Sequence, residues 1–511
     1  MSKRTSRVVA FVGVCALSSL LLSCGSSSSR PTGVLYVETQ GLTAQGTPGF
    51  GFNVTSFSID LNNGSLSIIN NNASTCSTAA TQANPSPCGA PLDILVDPTG
   101  ATAFVLNQGI PCIEIPNGDA WQCEDPMADP PILPTIYPYT VNSDGSLSSP
   151  LPAVTWSCAG IQIGGPGPCS DLPVAIARDA AGQFLFVISQ GSYPHPGYPT
   201  ESADNPGCPH TPGNQTDVCP SISVFAIKPG STSMTLQSGS PRYLSKVPTG
   251  LSAIEFTPGP GNPLGTSPVE LLFVTNNEDI CPENGDCKAP SPHNDNTVSV
   301  YQVDLTTGAL SEQPNSPYTI AANNPVSVLA VNTNPVGEYS VGGIFVYVGN
   351  SGASGGDLNP FVLCTVTGDA GCSSADVQNT LLIPLEQVCP EPPCNNVPPS
   401  PAGQDPVAMV VDPTNSFLYA VSNGVSSAVF GFTINETAGT LTPLSTPSEP
   451  TGAQPVGLAL QPSVGNLGQY LYVSNSNSAN ITGFTLDTAN GAMSNPITVD
   501  APPGPTGIAV H

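Results

Sequence analysis

Apolar residues in this chain gather in short runs rich in Val, Ile, Leu, Phe and Tyr, such as Phe184-Leu-Phe-Val-Ile and Tyr470-Leu-Tyr-Val. Stretches of Pro, Gly, Ser and Asn separate them. Runs of this length and composition between turn residues predict many short strands. One phrase recurs. A Pro opens a short apolar strand that often ends in Asp-Pro, and a second apolar strand follows and ends in Ser or Asn. It reads Pro406-Val-Ala-Met-Val-Val-Asp-Pro and then Phe417-Leu-Tyr-Ala-Val-Ser-Asn423. It reads again as Pro455-Val-Gly-Leu-Ala-Leu-Gln-Pro and then Tyr470-Leu-Tyr-Val-Ser-Asn475. Other copies open at Pro91, Pro173, Pro248 and Pro325, and the last is Pro505-Thr-Gly-Ile-Ala-Val-His511.

After each pair comes an alternating strand, for example Ala428-Val-Phe-Gly-Phe-Thr-Ile434, and then a tight turn. The turns include Asn63-Gly64, Asp144-Gly145, Thr307-Gly308 and Asn490-Gly491. Asn-Gly and Asp-Gly between alternating strands are strong hairpin signals. A short fourth strand completes the unit, and the strands are named A to D. The last two Pro-to-Pro spacings, 49 and 50, give the bare unit, and the earlier ones are longer. A four-stranded antiparallel unit of about 50 residues is a propeller blade. The chain opens on a strand B, Val34-Leu-Tyr-Val, and closes on a strand A. Joining them makes one composite blade and seven in all. The expected organisation is an all-β, seven-bladed β-propeller over 33–511, preceded by a leader at 1–23 and a Ser-rich tether at 24–32.

The phrase resembles that of the lactonase-like seven-bladed propellers, which include propeller-type 6-phosphogluconolactonases and surface proteins with Tyr-Val-Thr-Asn repeats. The nearest wording is Leu271-Leu-Phe-Val-Thr-Asn276 and Tyr472-Val-Ser-Asn475. The resemblance implies the fold and, as one option, lactone hydrolysis. It assigns no catalytic residue, because these motifs build blades.

Composition changes the picture in three ways. The formal net charge is −27, with 9 Lys and Arg against 36 Asp and Glu. Lys3, Arg4 and Arg7 stand in the leader, so the remaining chain is near −30. No basic groove can be built, which excludes nucleic acid as a partner and disfavours adsorption to anionic lipid. The leader itself has basic residues, an apolar stretch from Val8 to Leu22, and Leu21-Leu22-Ser23-Cys24-Gly25. Basic residues before a short apolar run read as an export signal. The Cys after Leu-Leu-Ser resembles a bacterial lipobox, which implies a lipid on Cys24, a membrane contact through that anchor alone, and a place in the cell envelope. Gly25 implies the outer membrane, if the cell is Gram-negative. A monomer is expected.

Fourteen further cysteines fall in close neighbours: Cys76 and Cys88, Cys112 and Cys123, Cys158 and Cys169, Cys208 and Cys219, Cys281 and Cys287, Cys364 and Cys372, Cys389 and Cys394. In an exported chain they read as local disulfides. Six pairs fall in B–C or D–A loops on one face, together with insertions such as Gly109–Pro134 and Gly191–Pro220. The pair Cys364 and Cys372 falls in a C–D connection on the other face.

Candidate chemistry is sparse. The second residue after each strand-A Pro is Asp93, Ala175, Gly250, Ser327, Ala408, Gly457 or Gly507. Six are small, as crowding at the ring axis requires, and Asp93 is the lone charge. It is a candidate base or cation ligand facing the channel. His195, His210 and His293 stand in B–C loops of neighbouring blades and are candidate acid–base groups. Glu278, Asp279, Glu283, Asp286 and Asp295 form an acidic loop segment suited to calcium, though without an Asp-x-Asp-x-Asp-Gly pattern. No other cofactor is called for. Three functions follow as expectations. The first is an envelope module that binds a protein, glycan or small molecule through its stapled loops. The second is a lactonase acting on a non-phosphorylated lactone. The third is a calcium-stabilised structural protein.

Overall fold

A computed structural model describes residues 33–39, 53–74, 91–108, 112–114, 121–123, 134–148, 154–155 and 172–190. It also describes 220–279 (without 245, 259–261 and 266), 296–365 (without 321–323, 334–342 and 353–354), 372–385 (without 381) and 399–511 (without 466).

Seven antiparallel sheets form the ring, each with four strands in the order A–B–C–D. In blade 6, with A at Pro406–Val411, the others are Phe417–Ser422, Ala428–Ile434 and Leu441–Pro450. Three blades break strand D in two, as in Met234–Leu236 and Arg242–Tyr243, both paired to Ser221–Ile227. Blade 1 joins the two ends of the chain. Pro505–Val510 pairs antiparallel with Val34–Thr39, setting Val37 opposite Ile508 and Leu35 opposite Val510. The predicted closure is therefore present.

In blade 1 strand B is buried along its whole length, because a neighbouring blade covers each of its faces. Its alternate side chains divide between two seams. Val34 and Tyr36 join the core shared with blade 2, while Leu35 and Val37 join the core shared with blade 7. Each of the seven apolar clusters draws on two adjacent blades, so the core is a set of seven seams around an open axis.

Each word of the repeated phrase has a structural task. The Asp of Asp-Pro caps the A–B turn: Asp412 Oδ1 accepts from the Ser416 and Phe417 amides at 2.8 and 2.7 Å, and Asp97 Oδ1 does the same for Ala101 and Thr102. The Asn that ends strand B ties it to strand C. Asn475 Nδ2 donates to Asn480 Oδ1 and Thr482 Oγ1, both at 2.9 Å. The Tyr of strand B reaches across the seam. Tyr36, Tyr347, Tyr419 and Tyr472 each donate to the carbonyl of the turn glycine in the next blade: Gly145, Gly439, Gly491 and Gly64, at 2.8 to 3.0 Å.

The pair Cys364 and Cys372 forms a disulfide in the C–D connection of blade 5, followed by a short helix, Ser374–Asn379. In blade 2 a B–C hairpin sets Cys112 opposite Cys123 on the backbone ladder. The other five cysteine pairs and Cys24 lie outside the described residues.

Crowding accounts for the small residues after the Pro, but its source is the next blade rather than the axis. A Cβ on Gly250 would stand 3.0 Å from Ser327 Cα, and one on Gly507 would stand 2.6 Å from Asp93 Cα. Replacing Gly507 with Ala therefore forces backbone apart in the closing seam. We expect it to destabilise the fold by about 1–3 kcal/mol, read as a lower melting temperature. An unchanged melting curve would remove this steric account.

Candidate functional site

The seven A strands pair on one edge only, with strand B of their own blade. Their free edges face the axis and surround a cavity of about 550 Å³. In each of blades 2 to 7 the A–B register slips at the residue after the Pro, as between Pro91 and Asp93. The slip turns the second residue toward the next blade's strand A at the channel wall. Ser327 Oγ donates there to the Pro406 carbonyl at 2.5 Å.

Asp93 occupies this position in blade 2. It is the one charged residue among the described residues lining the channel, which otherwise offers apolar side chains, glycine, and the polar groups of Thr249, Ser327, Gln454, Ser476 and Thr506. It is only partly open to the channel. Its Oδ1 accepts from the Ile94 amide at 2.9 Å. Burial pushes its carboxyl up to about 7, against the opposing pull of the Ile94 and Ile176 amides. A carboxyl poised there can exchange a proton near neutral pH.

The structure adds Glu38. It ends strand B of blade 1, is wholly buried, and lies behind Gly507 in the seam with blade 2. Its Oε2 stands 2.8 Å from where a Gly507 Cβ would be, beside Asp93 Cα. The Thr506 hydroxyl and Gly507 amide are close to its carboxyl, but neither oxygen makes a regular hydrogen bond. Burial, then the charge of Asp93, raises it well above the usual carboxylate range. Both effects favour the neutral form of Glu38. The signal was present in the sequence: matching positions of the other strands B hold Leu106, Ile188, Thr275, Gly349, Val421 and Ser474, none of them charged.

A second buried acid, Glu270, starts strand B of blade 4 at the opposite end of the ring. Burial, then Asp179 and Glu255, push it up to about 8, with Arg178 opposing. Arg178 donates from Nη1 to the Asp179 carbonyl at 3.2 Å.

His195, His210, His293, Glu283, Asp286 and Asp295 lie outside the described residues. Glu278 and Asp279 were expected in a loop, but they extend strand B of blade 4, opposite Val247 and Lys246. The ladder continues because strand A also begins earlier, at Lys246. Among the described residues no group of three metal-ligating side chains occurs.

Residues 394–510 match the family described as Lactonase, 7-bladed beta-propeller. That span holds blades 6 and 7 and the closing strand, so the resemblance read from the repeats is met over that part of the chain, and the fold is a seven-bladed β-propeller. Similar solved structures include the periplasmic gluconolactonase of Pseudomonas aeruginosa, 16% identical, with 93% of this chain and 98% of that one covered at a TM-score of 0.49. Another is a Bacteroides fragilis protein provisionally named a 6-phosphogluconolactonase, 14% identical, with 93% and 97% covered at a TM-score of 0.49. No curated protein matches the chain in sequence.

The raised carboxyls make stability depend on pH. Each favours the fold when protonated, so its contribution is full below about 4 and is lost as pH rises through its folded value. For Asp93 and Glu270 those values are about 7 and about 8. The melting temperature is expected to fall between pH 5 and pH 8. Glu38→Gln, which keeps the shape and removes the titration, should raise it at pH 8 by roughly 2 °C and leave it unmoved at a pH below about 4. Equal effects at both pH values would contradict this assignment.

Proposed function

We propose that the protein is a hydrolase of uncharged lactones whose centre is the axial channel, with Asp93 as general base. The observation that carries this reading is a lone carboxyl of pKa about 7 on the wall of a small-molecule cavity. The cavity lies within the roughly 300–1,000 Å³ usual for ligand sites. The family match is consistent with it.

In the reaction, Asp93 takes a proton from water as the water oxygen bonds to the lactone carbonyl carbon. The ring C–O bond then breaks, and the departing oxygen takes that proton back from Asp93. The product is the open hydroxy acid. Backbone amides on the inner edges of strands A, which pair with no strand there, are the donors proposed for the oxyanion. A phosphorylated substrate is unsuited, because the described lining holds no Lys or Arg to meet its charge, and the net charge of −27 repels it.

Asp93→Asn is expected to lower kcat on a neutral aldonolactone by about a hundredfold or more, with wild-type activity rising with pH through about 7. An unaffected kcat would remove Asp93 from catalysis, and no turnover by the wild type would return the protein to the binding-module reading.

We also infer that the chain is exported and held to the envelope by lipid on Cys24, with the local cysteine pairs oxidised. Metabolic labelling with a fatty-acid analogue should mark the wild type and not Cys24→Ala. Equal labelling of both would refute the anchor.

A further inference from the structure

Beside the channel mouth, blades 6 and 7 leave a second recess of about 800 Å³. It lies between the B–C loop of blade 6 and the D–A loop that leads into blade 7. These are the two blades with the bare repeat, and their own loops around it are short. Its described lining includes no charged and no aromatic residue, in a chain whose net charge is −27. What it offers are neutral hydrogen-bonding groups: the amides of Asn423, Gln454 and Asn477 and the hydroxyl of Ser426, beside the exposed Val425. None of these four polar side chains makes a hydrogen bond within the described protein, so all can turn to a ligand.

The recess and the channel adjoin. Gln454 lines both, and the consecutive residues Ser476 and Asn477 line one each. Gln454 also holds a left-handed backbone, φ 54°, just before Pro455. The same place in blades 5 and 1 is taken by Asn324 and Gly504, which reach that region more readily. A Gln held there, its side chain unpaired where two cavities meet, is strain kept at a working position.

We propose that this recess binds a neutral sugar attached to the lactone, so that the substrate class is glycosylated aldonolactones. The inference rests on the lactonase reading for the channel and adds a subsite to it. The lactone ring sits against Asp93 in the channel, and the appended sugar lies over Gln454 in the recess. Amides suit this ligand because each presents a donor and an acceptor to adjacent hydroxyls. An apolar chain would find few apolar side chains here, Val425 being the exposed one.

The test compares hydrolysis of gluconolactone and cellobionolactone, above the spontaneous rate, by wild type and by the double variant Asn423→Ala, Asn477→Ala. The expected ratio of kcat/KM, disaccharide to monosaccharide, is about 10 in the wild type, the worth of one or two hydrogen bonds. It should fall to about 1 in the variant. A wild-type ratio of 1 or less, or a ratio the variant leaves unchanged, overturns the subsite while leaving the lactonase reading intact. If neither lactone is turned over, the lactonase reading fails separately. The subsite is then decided by calorimetry with the lactams of both sugars: about tenfold tighter binding of the disaccharide supports it, and equal affinity overturns it.

Discussion

The ring depends on a contact between strand B of one blade and the glycine turn of the next. An aromatic ring lies on the bare face of the glycine, and a tyrosine two residues on donates to its carbonyl. Tyr470 and Tyr472 do this at Gly64, Phe345 and Tyr347 at Gly439, and Phe417 and Tyr419 at Gly491. A Cβ on any of these glycines would stand within 2.5 Å of the ring, and each already takes a positive φ that other residues resist. Burial raises the phenols of Tyr347, Tyr419 and Tyr472, so they remain donors. Packing and hydrogen bonding at one point fix both the spacing and the tilt between blades.

That contact sits at the outer part of each seam. At the inner part the blades come so close that only small residues fit after the strand-A Pro. Asp93 is the exception, and the seam is what perturbs it. The same close approach leaves a pocket behind Gly507 that Glu38 fills. The channel chemistry is thus a product of blade spacing. Two acids, one partly open to the channel and one buried behind the closing strand, are held where the charged form is costly.

Much of the fold was legible because the seams impose a strict grammar. The Asp-Pro cap, the strand-B Tyr and the terminal Asn each make one repeated contact, so their spacing reveals the blade. Ring closure was legible for the same reason, since Pro505–Val510 and Val34–Thr39 are the two halves of one phrase. The site was less so. Asp93 was visible as the odd member of a small-residue set. Glu38 is far from it in sequence and meets it only through the closed ring. The recess by Gln454 depends on the absence of insertions in two blades, and no motif marks it. The strand extension to Glu278 and Asp279 was hidden, because polar residues at a strand end read like the start of a loop.

The central claim is that the channel, at Asp93, is where a neutral lactone reacts. The most direct measurement is a crystal structure with a non-hydrolysable lactam of gluconic acid. This account predicts the lactam ring inside the channel with its carbonyl carbon facing the Asp93 carboxyl across one water. A lactam bound elsewhere, with the channel holding solvent alone, would contradict it.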